Sequence, residues 1–277
     1  MILLENGYKT SVFCLTNDKY KISYLEFIIK KIAERRFNLG GIQFSEVTKL
    51  YKKKEVLHNI TFDIDLDDNK IIGLIGPNGA GKSTILRLLA GVIGYQQGTL
   101  SLDNNQSAIK FDQWARRHAT YLPAGERGMI YKATVLDNIY YLSSLNGTPK
   151  KNTVEHLKKY SDLFGFDSYL DKNVEELSTG LKKKAQLLCA LCSDSKLLLL
   201  DEPSNGLDIK AQLELKKLIT EINEKEKKKI IISSHDTNLM SSLCNEVMFI
   251  HDGHIKKIIN NTISPEEIEL EYQSIEG

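Results

Sequence analysis

The stretch KIIGLIGPNGAGKSTILRLLAGV, Lys70 to Val92, constrains this chain more than any other. An apolar run of strand length breaks into glycines, then resumes with apolar residues at helical spacing. Inside it, GPNGAGKS fits the pattern G-x-x-x-x-G-K-[ST] and has the strand before and the helix after that the pattern requires. Glycines let successive backbone N–H groups wind toward one point without side-chain clashes, and the N-terminus of the following helix adds its positive end. The spacing therefore predicts a phosphate cradle made of Gly76, Pro77, Asn78, Gly79, Ala80, Gly81, Lys82 and Ser83, with Thr84 as a further contact. Lys82 is expected to meet the β- and γ-phosphates, and the Ser83 hydroxyl to ligate Mg2+.

Composition narrows the partners. The 277 residues suffice for one large domain with an inserted subdomain. Lys and Arg number 37 against 36 Asp and Glu, a net charge of +1, so no basic surface for direct nucleic-acid binding is expected. The longest apolar runs fall far short of the roughly 20 residues that cross a bilayer. The first residues lack a signal-peptide core and cleavage pattern, so the expected location is cytosolic, or at a membrane through another subunit. Of four cysteines, Cys189 and Cys192 form a C-x-x-C pair inside the apolar helical run AQLLCALC. Without a second pair or nearby histidines, they are expected to pack rather than to bind metal.

Residues 1–40 read as an extension separate from a main domain at 41–277. In YKISYLEFIIKKIAERRF, Leu25, Ile28, Ile29, Ile32 and Ala33 share one helical face, with Lys30, Lys31, Glu34 and Arg35 elsewhere. Such a basic amphipathic helix can lie on an anionic membrane or dock its apolar face on protein; docking is the favoured expectation. From Ile42, strand-like pieces suggest an antiparallel sheet edge ahead of the glycine break. The pattern from about 112 to 187 is mainly helical. Helices and strands then alternate, the trace of crossover units and a largely parallel sheet.

KLLLLDEP, Lys196 to Pro203, is a buried-strand pattern ending in two carboxylates. A strand delivers its last side chains to the crevice at the carboxyl edge of a parallel sheet. Asp201 is suited to hold Mg2+, directly or through water, and Glu202 to polarise an attacking water as general base.

Between these two motifs lies LSTGLKKK, Leu177 to Lys184, which resembles the signature motif of the ATP-binding cassette (ABC) ATPases. SNGLD, Ser204 to Asp208, resembles that family's D-loop, and SSHD, Ser233 to Asp236, its switch-histidine strand end. Tyr51 matches the aromatic residue that stacks on adenine. The resemblance runs from about Ile42 to Asn260 and implies an α/β fold. Its core would be a P-loop NTPase (RecA-like) parallel sheet, with an antiparallel β subdomain and an inserted α-helical subdomain. It also implies ATP and Mg2+ as ligands, with Lys82, Glu202 and His235 as catalytic residues. Ser178 reads as a helix N-cap followed by Gly180, so its hydroxyl and nearby amides are donors at a helix start. The resemblance implies that Ser178, Thr179 and Gly180 face ATP held by a second subunit, with Asp208 acting across the interface. One set of motifs per chain then requires a partner, expected to be a second copy.

Two departures stand out. Ala124, in TYLPAGERGMIYKATVLDN, occupies the place of the family's usual glutamine, which puts its metal and relay roles in doubt. Either Glu126 or Arg127 partly replaces it as a coupling contact, or water fills the missing ligand position. Thr179 and Leu181 replace the commoner glycine and glutamine of the signature while leaving the Ser178 and Gly180 donors. The overall expectation is the ATPase subunit of a transporter at the cytoplasmic face of the membrane, peripheral to integral permease subunits. The lack of a long regulatory region after the histidine motif and the run TVLDNIYYLSSLNG lean toward an exporter resembling the ABC-2 class. The other class of function is a soluble ABC ATPase acting on ribosomes, DNA or an assembly scaffold.

Overall fold

A computed structural model describes residues 40–102, 110–125 and 127–276. The expected amphipathic helix near the N-terminus and Glu126 lie outside the described residues. The chain divides into two units between Leu39 and Gly40, and every described element belongs to the larger one.

Its first layer is an antiparallel sheet of β1 (Gly41–Tyr51), β2 (Lys54–Asp65) and β4 (Gln97–Leu102), in the order β2-β1-β4. Alternation places Ile42, Phe44, Ile60, Phe62 and Ile64 on one buried face, as a half-solvated sheet demands. Phe44 and Phe62 are register partners and stack with ring centroids 4.3 Å apart. A pair of this kind contributes about 0.5–1.5 kcal/mol beyond the area it buries.

The second sheet carries the order β5-β6-β7-β3-β8-β9 among the described residues. Its strands are β3 (Ile71–Ile75), β5 (Ala119–Leu122), β6 (Leu197–Asp201), β7 (Lys229–Ser233), β8 (Glu246–His251) and β9 (His254–Ile259). All neighbours are parallel except β9, which returns antiparallel along β8. Every residue of β3, β6 and β7 is buried, because helices cover both faces and the runs IIGLI, LLLLD and KIIIS are apolar without alternation.

Helix α1 (Lys82–Leu89) follows β3, and α2 (Phe111–His118) precedes β5. Here the structure corrects the sequence reading: the span from about 112 is not continuously helical. Ala119–Leu122 form an edge strand of the core sheet, so the inserted helices begin only with α3 (Val135–Leu145). A four-residue strand flanked by helical patterns has too few alternations to announce itself. The remaining helices are α4 (Lys150–Phe164), α5 (Thr179–Leu191), α6 (Ile209–Glu226), α7 (Thr237–Leu243) and α8 (Pro265–Glu276).

Start and stop signals agree with the helix ends. Thr134 and Asp137 form a capping box at α3, in which Thr134 Oγ1 accepts from the Asp137 amide at 3.0 Å. Gly165 ends α4 in the left-handed conformation, at φ 58°. Cys189 and Cys192 are free and buried among the apolar side chains of α5, as the run AQLLCALC predicted.

Asn138 on α3 pins the segment leading into the helices. It is fully buried, accepts from the Ile130 amide at 2.7 Å, and donates to the carbonyls of Ile130 and Thr134 at 3.0 and 2.9 Å. Asn138→Ala strands these backbone groups, and urea denaturation is expected to report a loss of about 1–3 kcal/mol. No loss would mean that water replaces the amide.

Candidate nucleotide site

The phosphate loop links β3 to α1 at the carboxyl edge of the parallel sheet. Gly76 is required by proximity, since a Cβ there would lie 2.0 Å from the Ile250 carbonyl oxygen. Gly81 is required by conformation: it caps α1 at φ 113°, a value that L side chains rarely adopt. The turn between β8 and β9 braces the loop, with the Gly253 amide donating to the Ala80 carbonyl at 3.0 Å. Lys82 is buried and curls back on the loop, its Nζ donating to the carbonyls of Gly76 (2.6 Å) and Pro77 (3.3 Å). Thr84 is buried beside it, while Asn78 is exposed at the loop tip.

Two carboxylates converge on this loop. Asp201, 2% exposed, ends β6 and accepts three hydroxyl hydrogen bonds. Ser83 and Ser233 donate to Oδ1 at 3.0 and 2.7 Å, and Tyr121 donates to Oδ2 at 2.8 Å. Burial, with the Asp201 charge adding to it, pushes the Tyr121 phenol up to about 12 despite the opposing Arg87 guanidinium. Arg87 donates from Nε to the same phenol oxygen at 3.3 Å, and that bond raises the Arg87 value, with a smaller contribution from Tyr51.

Glu202 sits one residue on, at φ 47°, in the left-handed region. A non-glycine residue there stores about 1–3 kcal/mol of strain. The conformation is held by its amide, which donates to both the carbonyl (3.0 Å) and the Oγ (3.1 Å) of Ser233. Glu202 Oε2 lies 2.9 Å from His235 Nδ1, which makes Nδ1 the donor. Oε1 lies 3.7 Å from Lys82 Nζ and, though buried, accepts no hydrogen bond.

The structure thus brings Lys82, Ser83, Asp201, Glu202 and His235 into one connected cluster. Tyr51 stands at the end of β1, 40% exposed, with Lys49 Nζ 5.1 Å from its ring centroid. Ser178 caps α5, accepting from the Leu181 amide at 3.4 Å, and Asp208 caps α6, accepting from the Ala211 amide at 2.8 Å. Thr179 and Gly180 pack near Gly206 and Ala211, and no hydrogen bond among the described residues ties the Ser178–Gly180 stretch to the phosphate loop of the same chain.

Several residues of the site escaped the sequence reading. Ser233 is legible only as the first residue of SSHD, Arg87 belongs to no short motif, and Tyr121 lies in the stretch that ends in Ala124 but was given no role there. Nor do Lys183 and Gln186 stand out, although they hold the loop that carries Ala124. The buried Lys183 donates to the Gly125 carbonyl at 2.9 Å, and Gln186 Nε2 donates to the Arg127 carbonyl at 2.7 Å. What marks Lys183 is its burial on a helix, which a lone sequence does not show.

Comparison with known proteins places this geometry. The family model described as ABC transporter matches residues 57–205. The chain belongs to that family: it is an ATP-binding subunit of an ABC transporter, and an ATPase. It is 29% identical to the ABC transporter ATP-binding protein NatA of Bacillus subtilis, over 74% of this chain and 82% of the relative. It is 30% identical to the zinc uptake system ATP-binding protein ZurA of Listeria monocytogenes, over 76% of this chain and 82% of that one. Among solved structures it resembles a dimeric, post-hydrolysis ATP-binding cassette, MJ0796, bound to ADP and phosphate. The TM-score is 0.64 at 20% identity, covering 79% of this chain and 98% of that one, a likeness of fold.

Gly76→Ala tests the cradle without touching a charged group. The added methyl must displace the Ile250 backbone, so a loss of roughly 3 kcal/mol or more in unfolding free energy is expected, together with weakened ATP binding. Unchanged stability and affinity would show that the loop relaxes freely.

Proposed function

We propose that this subunit energises transport by closing with a second copy around two ATP molecules and reopening after hydrolysis. The observation that carries the reading is the connected cluster of Lys82, Ser83, Asp201, Glu202 and His235, set apart from the Ser178–Gly180 donors of the same chain. Among the described residues those donors make no hydrogen bond to the phosphate loop of their own chain, and in this reading they serve that of the second copy. The dimeric cassette of similar fold supports pairing of two copies.

In this reading the cradle amides and Lys82 bind the phosphates and Tyr51 stacks on adenine. The Ser83 hydroxyl and the Asp201 carboxylate, 3.0 Å apart, suit Mg2+: both are hard oxygen donors, and no cation among the described residues pairs with Asp201. The metal would supply charge neutralisation on the phosphate oxygens. Glu202 Oε1, the oxygen without a hydrogen bond, takes the proton of the attacking water as its oxygen bonds to the γ-phosphorus. The bond from that phosphorus to the β–γ bridging oxygen breaks, and ADP keeps the electron pair. His235 Nδ1–H holds Oε2, fixing the carboxylate for this task.

No helix among the described residues is long and apolar enough to cross a membrane. In this reading the subunit acts at the cytoplasmic face, peripheral to integral permease subunits, with no direct nucleic-acid contact. The loop at Ala124 and Arg127, which Lys183 and Gln186 tie to α5, carries the motion to them. Arg127 lines a cleft of about 330 Å³ beside that loop, which favours it as the coupling contact. Export is the favoured direction, on the α3 run that opens with Thr134. The zinc-uptake relative makes import the competing reading.

Glu202→Gln is expected to bind ATP normally while lowering turnover at least a hundredfold, in keeping with loss of a general base. Normal turnover would remove Glu202 from that role. The same variant, tagged and isolated from detergent-solubilised membranes with Mg-ATP, is expected to carry a polytopic membrane protein in stoichiometric amount. Reconstitution of that pair in vesicles gives the direction. Recovery of ribosomes, DNA-associated factors or the dimer alone favours the soluble-machine class.

A further inference from the structure

Of the three hydroxyls that hold Asp201, one comes from a residue to which the sequence assigned no role. Strand β5 runs parallel beside β6 with Tyr121 opposite Leu199, and Asp201 lies two residues further along β6 on the same face. A phenol is long enough to cross that diagonal, and the Tyr121 hydroxyl donates to Asp201 Oδ2 at 2.8 Å. Arg87 lies one turn along α1 from Ser83, and its Nε donates to the same phenol oxygen at 3.3 Å. The phenol thus accepts from the guanidinium and donates its own proton to the carboxylate. Asp201 is divided accordingly: Oδ2 is occupied from β5, while Oδ1 turns to Ser83 and Ser233.

The terminal torsion of aspartate is broad and roughly two-fold, so one anchored oxygen decides where the other points. We propose that Tyr121, backed by Arg87, is a positioning residue for the metal-binding carboxylate of this ATPase. It holds Oδ2 so that Oδ1 and the Ser83 hydroxyl face one cation together. Ala124, three residues after Tyr121, has no side-chain oxygen to offer the metal, so the weight of orienting the site falls on the phenol of the same segment. The inference rests on the proposed assignment of Ser83 and Asp201 to Mg2+.

Mn2+ bound to the full chain with a non-hydrolysable ATP analogue, read by electron paramagnetic resonance, tests this directly. Tyr121→Phe keeps the ring and removes only the donor, and is expected to weaken Mn2+ binding by about 10–100-fold. Affinity for the analogue in EDTA should stay unchanged, whereas the thermal midpoint without ligand should fall modestly, because the buried Asp201 carboxylate loses one of its three donors. Arg87→Gln should give a smaller loss that disappears when combined with Tyr121→Phe, since Arg87 acts through the phenol. Full-strength Mn2+ binding in Tyr121→Phe would overturn the proposal, as would an equal loss of analogue affinity in EDTA, which marks a packing role. Asp201→Asn separates the two levels. If it too retains Mn2+, the metal assignment itself fails; if it loses Mn2+ while Tyr121→Phe does not, only the role of Tyr121 falls.

Discussion

A buried carboxylate that pairs with no cation among the described residues governs how this molecule is assembled. Asp201 is 2% exposed, and taking such a group out of water is expensive unless it is well hydrogen-bonded. Three hydroxyls meet that need, and each arrives on a different element: Ser83 on α1, Tyr121 on β5 and Ser233 on β7. The strand order β5-β6-β7-β3 is what makes the convergence possible, since β6 is flanked by both donating strands and Ser233 is the register partner of Asp201. Charge-assisted bonds of this kind are about twice as strong as neutral ones, so the node ties edge strand, central strands and phosphate helix into one rigid body.

Rigidity at Asp201 supports strain at Glu202. The left-handed backbone of Glu202 persists because its amide is clamped twice by Ser233, the same residue that donates to Asp201. One serine therefore holds both the carboxylate proposed for the metal and the one proposed as general base. The result is a carboxylate with one oxygen fixed by His235 and the other buried without a hydrogen bond. An unsatisfied buried acceptor raises the energy of the resting arrangement and favours any ligand that brings a proton to it.

A second layer of order lies on α5. Lys183 and Gln186 project from the first turns of the signature helix and hold the backbone of the loop at Gly125 and Arg127. The loop is thus tied to that helix through main-chain carbonyls, whatever side chain stands at 124. The Ser178 cap and the Asp208 cap keep the neighbouring helix starts in place, so two residues proposed for recognition across subunits also terminate their own helices.

Linear spacing determined the parts whose physics is local. The phosphate loop was legible because wound amides need glycine, and its strand and helix contexts are contiguous in the chain. The strand ending in Asp201 and Glu202 was legible because a strand buried on both faces must be apolar throughout and can bear charge only where it leaves the sheet. The cap at Ser178 belongs to the same kind. The edge strand at Ala119–Leu122 was missed, since four residues carry too little periodicity, and its discovery moved the start of the inserted helices. Tyr121, Arg87 and Ser233 became part of the site only through the register of β5, β6 and β7, which depends on residues up to about a hundred positions apart. Sequence by itself thus determined the phosphate cradle and the two acidic side chains that face it. The tertiary structure alone decided which hydroxyls hold them, because sheet order is a property of the whole packed chain and not of any stretch within it.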